Sequence, residues 1–232
     1  MEQEDEAWVD FRKRFADIYD ESNYANPLQS ALMRASHRAI ERRFSETNLF
    51  PRILEIGAGT GEHINYVRHG FDKYVLTDVD PRTLQIAERK ISSNFGERIS
   101  FSVQRAEVLK YENESFDRVI AAHVLEHIYK PHEAIKEWRR VLKNDGVLSV
   151  LIPTDPGIAW RLGRHFGPRR NAIASGIAYD YVMAREHVNS CVNLVALLRH
   201  YFPTRNESWW PFHIPSIDLN LFFIFHAVIK KN

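Results

Sequence analysis

The chain has 232 residues, enough for one α/β domain with embellishments and short for two. A formal net charge of +1, with 44% hydrophobic and 26% charged residues, excludes a disordered polyelectrolyte and argues against a nucleic-acid partner held by bulk charge. The single cysteine, Cys191, excludes an intrachain disulfide and a cysteine-built zinc cluster.

The acidic start MEQEDEAWVDF lacks the basic and apolar regions of a signal peptide, and no uncharged run approaches a membrane span. A cytoplasmic location without a membrane span is therefore expected. Residues 1–46 read as a helical cap. Trp8, Phe11, Phe15 and Ile18 recur at helical spacing, and Leu28, Leu32, Ala35, Ala39 and Phe44 mark a second apolar face after Pro27. Arg52 to Ile56 reads as a strand entering a glycine turn, and Glu62 to Arg68 as the start of a helix. Strands follow at Lys73 to Asp78, Ile99 to Gln104 and Phe116 to Ala122. Helices are expected at Pro81 to Ser92 and His132 to Leu142, and the turn Asn144-Asp145-Gly146 leads into a strand at Val147 to Ile152. This βαβαβ rhythm implies a parallel sheet covered by helices on both faces.

The segment from Pro153 to Asn189 breaks the rhythm. It is too long for a simple connection and carries Arg161, Arg164, Arg169 and Arg170 among scattered glycines and prolines. We read it as a partly helical insertion at the carboxyl edge of the sheet, a lid or substrate wall. A helix at Val192 to Tyr201 and two strands, near Arg205 to Trp210 and from Asn220 to Lys230, complete the chain. The expected organisation is one domain over residues 1–232: cap 1–46, core 47–152, insertion 153–189, and a closing helix and strands over 190–232.

The turn itself reads ILEIGAGTGEH, Ile53 to His63, with glycines at 57, 59 and 61. A triphosphate-binding loop would need GxxxxGK[ST], and the lysine is missing. A dinucleotide fingerprint would place its third glycine one residue later. Asp78, at the end of the next strand, is placed to accept from a ribose diol. The second informative stretch is SFDRVIAAHVLEHIYKPHEAIKEWRRVLKNDGVLSVLIP, Ser115 to Pro153.

Taken with LEIGAGTGEH and LTDVDP, that stretch resembles the class I S-adenosylmethionine-dependent methyltransferases over roughly Ile53 to Pro153. The resemblance implies a doubly wound, Rossmann-like seven-stranded sheet whose last strand is antiparallel. It implies that Glu55, Gly57, Ala58, Gly59 and Gly61 surround the methionine part of S-adenosyl-L-methionine. Asp78 would hold the ribose hydroxyls, Val79 would lie against the adenine, and Ala106 and Glu107 would sit beside its edge. His123 falls where relatives place residues near the transferable methyl, and Leu125-Glu126-His127 matches a frequent helix-start motif.

The cofactor carries a carboxylate, an ammonium and a ribose diol, which backbone N–H groups, Glu55 and Asp78 suit in turn. The expected reaction is methyl transfer to an O or N atom of a small-molecule acceptor, in a pocket roofed by the insertion. His123 and His187 are the candidate bases, since imidazole titrates near neutrality. Tyr24, Arg161, Tyr179, Tyr181, Arg185 and His187 are the candidate acceptor contacts. No metal site is expected. The competing readings are a methyltransferase for RNA or protein, a non-catalytic scaffold that keeps the fold, and an oxidoreductase using NAD, which the glycine spacing disfavours. The oligomeric state is not legible in the sequence.

Overall fold

The computed structural model describes residues 27–166, 168–174 and 176–231, together with residues 5, 6, 8, 9 and 11. Its centre is a seven-stranded sheet in the order β3-β2-β1-β4-β5-β7-β6. The strands are β1 (Arg52–Ile56), β2 (Lys73–Asp78), β3 (Ile99–Val103), β4 (Phe116–Ala122), β5 (Leu142–Pro153), β6 (Arg205–Trp210) and β7 (Phe222–Val228). β1 to β5 pair in parallel, and β7 runs antiparallel to both β5 and β6. The turn expected at Asn144 to Gly146 survives as an irregularity within β5, with Asp145 at φ 63°.

Strand side chains alternate between two buried faces, as a doubly covered sheet requires. On one face Leu54, Val119, Leu148, Val150 and Phe223 pack against α3 (Pro131–Val141) and α7 (Cys191–Tyr201), with Trp138 fully buried. On the other, Ile53, Tyr74, Leu76, Ile120 and Ile224 pack against α1 (Pro27–Glu41) and α2 (Pro81–Phe95). Asp80 caps α2 by accepting from Arg82 N, and Pro81 occupies the first turn.

Two expectations are corrected. The helix expected at Glu62 to Arg68 is only a 3₁₀ turn, His63–Tyr66, after which Val67 is extended. The chain turns there because His69 is drawn under the sheet, where its ring meets the Arg118 guanidinium. The inner face of α1 is not the apolar stripe of Leu32, Ala35 and Ala39, which are only partly buried. It is Ser30, Ser36, His37, Ile40 and Glu41.

The polar residues of that face close a network at the middle of the sheet. Arg118, 0% exposed on β4, donates to both carboxylate oxygens of Glu41 at 2.9 and 2.7 Å and to Ser149 Oγ at 3.1 Å. Ser149 in turn meets His226 Nδ1 at 3.0 Å, and His63 donates Nε2–H to Glu41 at 3.1 Å. Burial alone would raise the Glu41 carboxyl, but Arg118 and His63 hold it well below the usual carboxylate range. Burial pushes His226 down to about 3 and His69 down to about 4, aided in both by the Arg118 charge.

The insertion after β5 contains α4 (Ile158–Phe166), α5 (Pro168–Ala174) and α6 (Tyr179–Glu186), so it is partly helical as expected. No helix among the described residues is long and apolar enough to cross a membrane.

Candidate active site

The sheet order changes direction around β1, which has β2 on one side and β4 on the other. A crevice opens at such a point beyond the carboxyl ends of the strands. The chain places its glycine turn there. Gly57, Gly59 and Gly61 have φ of 64°, 53° and 76°, a region that side chains disfavour. At Gly57 an added Cβ would lie 2.4 Å from Val124 Cγ2, so both the angle and the space demand glycine.

The turn is tied to β2 from both ends. Ala58 N donates to Thr77 O at 2.9 Å, and Gly59 N donates to Asp78 Oδ2 at 2.9 Å. Asp78 Oδ1 accepts from Asp80 N at 2.9 Å. Together with Val79, these backbone donors hold the Asp78 carboxylate at the cleft, where its remaining lone pair can accept from a ribose hydroxyl. Burial raises the Asp78 carboxyl, against the pull of those backbone donors. Glu55 is buried beneath the turn and accepts from Tyr74 OH at 2.7 Å. Burial also pushes the Glu55 carboxyl up, so its charge is favoured by a cation at its side, such as an ammonium.

The cleft above the turn is lined by Glu55, Gly57, Ala58, Thr60, Glu62 and His63, by Met33 and His37 of α1, and by Ala122 and His123 at the end of β4. The α1 contribution was missed from sequence, because histidine and methionine do not advertise a cleft. Val79 is 67% exposed beside Asp78, an apolar surface open to a ring. Ala106 directs its carbonyl onto Trp138 Nε1 at 3.0 Å, and Glu107 is half-buried, facing Arg105 at 3.4 Å.

His123 stands at φ 59°, a sparsely populated conformation for a residue with a side chain, and its amide donates to Leu151 O at 3.0 Å. Its Nε2 lies 2.9 Å from Ser36 Oγ, which itself donates to Met33 O, so the histidine is the donor. Burial and the neighbouring His127 and His187 push its pKa down to about 3, and it is neutral near pH 7.

Beyond His123 lies a second polar group. His187 Nδ1 is 2.9 Å from Asp155 Oδ2, an oxygen that also accepts from Arg164 at 3.2 Å. His127 Nδ1 is 2.9 Å from Glu186 O and 3.1 Å from its carboxylate. Burial works against charge on His127, but Glu186 and Glu126 raise it to about 9. Glu126 is 2% exposed, and burial pushes its carboxyl up. The His127 and His187 rings meet edge to face at 5.0 Å. Glu126 and Asp155 were missed as site residues, although His123-x-x-Glu126-His127 was legible as a spacing.

Other expected acceptor contacts are placed elsewhere. Tyr179 is buried, with its hydroxyl accepting from Arg164 Nε at 3.2 Å. Arg185 donates to Tyr181 OH at 3.1 Å and lies over the Trp8 ring at 4.2 Å. Arg161 is exposed on α4. Arg169 forms a two-bond pair with Asp180, so the basic cluster is partly neutralised from within the insertion. Tyr24 lies outside the described residues.

The glycine turn on β1, the acid ending β2 and the crevice against β4 form a cleft that suits a nucleoside at the switch point of an α/β sheet. Residues 54–150 match the family described as "Methyltransferase domain". Over these residues the chain is similar to methyltransferases, and its glycine turn, Glu55 and Asp78 suit S-adenosyl-L-methionine. It is 28% identical over 152 residues to the ubiquinone/menaquinone biosynthesis C-methyltransferase UbiE of Hahella chejuensis, covering 61% of each chain. It is 32% identical over 107 residues to the chloroplastic 2-methyl-6-phytyl-1,4-hydroquinone methyltransferase 1 of Oryza sativa subsp. japonica, covering 45% of this chain and 32% of that one. The chain thus spans less than two thirds of the length of these curated relatives. The solved N-methyltransferase NodS of Bradyrhizobium japonicum superposes with a TM-score of 0.60 at 18% identity, covering 86% of this chain and 97% of that one.

Proposed function

We propose that the protein transfers a methyl group from S-adenosyl-L-methionine to an oxygen or nitrogen atom of a small-molecule acceptor. The observation that carries the reading is the meeting of two sites on one sheet edge. The glycine turn with Glu55 and Asp78 suits the cofactor, and His123, His127 and His187 lie at the adjoining ends of β4, β5 and the insertion. The bound cofactor supplies a methyl carbon on a sulfonium; as the acceptor lone pair bonds to that carbon, the carbon–sulfur pair returns to sulfur.

The protein's task is to align the acceptor with that carbon and to exclude water. Glu55 neutralises the cofactor's ammonium and Asp78 fixes its ribose. His123, neutral and held by Ser36, forms a fixed wall beside the methyl position rather than a proton acceptor. His187 keeps its Nδ1–H on Asp155, which leaves the lone pair of Nε2 for an acceptor proton. Segment 47–152 then serves the cofactor and 153–189 the acceptor, with 1–46 as a cap and 190–232 closing the sheet, within one domain.

A second reading moves the attack to carbon. It is favoured by the names of the two curated relatives, a C-methyltransferase and a hydroquinone methyltransferase. A ring hydroxyl that loses its proton makes the neighbouring ring carbon nucleophilic, so the same site suits both outcomes. Incubation with methyl-labelled cofactor and a panel of phenols, hydroquinones and amines tests the proposal, with NMR locating the label. Transfer to at least one small molecule is expected. Labelling confined to RNA or protein would refute it.

A further inference from the structure

We propose that Glu126, His127 and His187 bind a divalent transition-metal cation at the acceptor side of the cleft. One ligating atom from each of the three lies within 4.8 Å of the others. Two ligands about 2.1 Å from one ion stand at most about 4.2 Å apart, so the set closes with less than about 1 Å of side-chain movement.

The hydrogen-bond inventory points to a cation. The N–H of His187 is spent on Asp155 and that of His127 on Glu186. That of His123 is spent on Ser36, leaving its Nδ1, a lone pair, 3.9 Å from Glu126 Oε1. His127 Nε2 lies 3.8 Å from the same oxygen. The other Glu126 oxygen, Oε2, is buried and has no hydrogen-bond partner among the described residues. The lone pair of His123, and that of His127 once it gives up its second proton, thus face a buried carboxyl whose Oε2 has no donor among the described residues. A second proton on His127 would answer Oε1 and leave Oε2 without a donor. A cation answers both oxygens and the imidazole lone pairs.

The partners of the two histidines have the form that metal sites use. A ligating histidine commonly donates its other N–H to a carboxylate or a backbone carbonyl, which fixes tautomer and ring orientation. Asp155 does this for His187, and Glu186 for His127. Two imidazoles and one carboxylate favour Zn²⁺, Mn²⁺, Fe²⁺ or Co²⁺ over Ca²⁺, and three protein ligands leave positions open. An acceptor oxygen in one of those positions would be made more acidic and held toward the methyl carbon. This role rests on the methyl-transfer reading and replaces proton transfer to His187, whose lone pair the cation occupies; the binding of the cation rests on neither. It also departs from the sequence reading, which expected no metal.

The test uses the full chain stripped with chelator and titrated with Co²⁺, following the visible d–d absorption. A saturable band at one equivalent is expected, competed by Zn²⁺. Glu126→Gln and His187→Ala are each expected to weaken binding at least tenfold. Asp155→Asn, which loosens the ring of His187, should weaken it roughly 10- to 100-fold, and the exposed His200→Ala should leave it unchanged. S-adenosylhomocysteine affinity, measured on each variant, separates lost ligation from lost folding. No saturable band in the unmodified protein, or binding that survives both ligand substitutions, would overturn the metal site. If the band is absent and methyl transfer persists, the methyl-transfer reading stands with His187 as base. If the band is present without methyl transfer to any acceptor, that reading fails and the metal site stands.

Discussion

Single residues define the cofactor side of the cleft. Asp78 accepts from the backbone of Gly59, Asp80 and Val79 at the carboxyl end of β2. Asp78→Ala is expected to weaken S-adenosylhomocysteine binding by roughly 10- to 100-fold, from the loss of charged hydrogen bonds of about 1.5–3 kcal/mol. Calorimetry checks this; unchanged affinity in a folded variant would remove Asp78 from the site. Gly57 makes a separate prediction. Gly57→Ala meets both a φ of 64° and the Val124 side chain. A loss of about 1–3 kcal/mol in unfolding free energy is expected. Adding Val124→Ala should recover the steric share and leave the conformational share of about 1 kcal/mol. Urea melts of the single and double variants check it, and additive losses would show that the clash is not the cause. Both residues were legible in the sequence, because a glycine turn after a strand and an acid ending the next strand have few other uses. Glu126 was not, since the burial of its carboxyl against the rings of His123 and His127 has no sequence signature.

At the scale of elements, helix α1 shows where sequence reading fails. Apolar periodicity predicted the helix and its position, yet the residues it buries are Ser36, His37 and Glu41 as well as Ile40. Their partners His63, His69, Arg118 and His123, and the Ser149 and His226 that lie behind Arg118, come from four separate parts of the chain, so no local pattern announces them. The same pull on His69 explains the 3₁₀ turn where a helix was expected. α1 is therefore clamped to the sheet by charge, and α1 carries Met33 and His37 into the cleft. Glu41→Gln leaves the Arg118 charge buried without its counter-ion, and breaking such a pair costs about 3–5 kcal/mol. A double replacement, Glu41→Leu with Arg118→Leu, is expected to cost less than the sum of the two single changes. Denaturant titration of the cycle checks this; strict additivity would mean that the pair does not couple α1 to β4.

For the whole molecule, the same clamp sets a pH limit. His69 and His226 are held at about 4 and about 3, against an ordinary histidine value of 6.5, with His37 lowered in the same direction. Between pH 6.5 and about 4 the unfolded chain takes up protons that the folded chain refuses. The stability that depends on these buried neutral histidines is full above pH 6.5 and falls as pH drops toward 4, by about 1.4 kcal/mol per pH unit for each. Unfolding midpoints measured from pH 8 to pH 4.5 should show that fall, and a flat profile would contradict the buried neutral histidines.

The alternation of strands and helices and the glycine turn were readable from periodicity and turns, whereas the seven strands and the antiparallel last one were implied only by the resemblance. The insertion was readable only as an interruption, because its site comes from pairing His187 with Asp155 across the start and end of the segment. The division between a cofactor core and an acceptor-reading insertion is the centre of the account. It is tested most directly by His187→Ala, measured for labelled-methyl turnover at saturating cofactor and for S-adenosylhomocysteine affinity. Turnover is expected to fall at least tenfold while affinity stays within about threefold, well under 1.4 kcal/mol. A tenfold loss of cofactor affinity with turnover intact would make the insertion a cofactor lid, and would contradict its assignment to the acceptor.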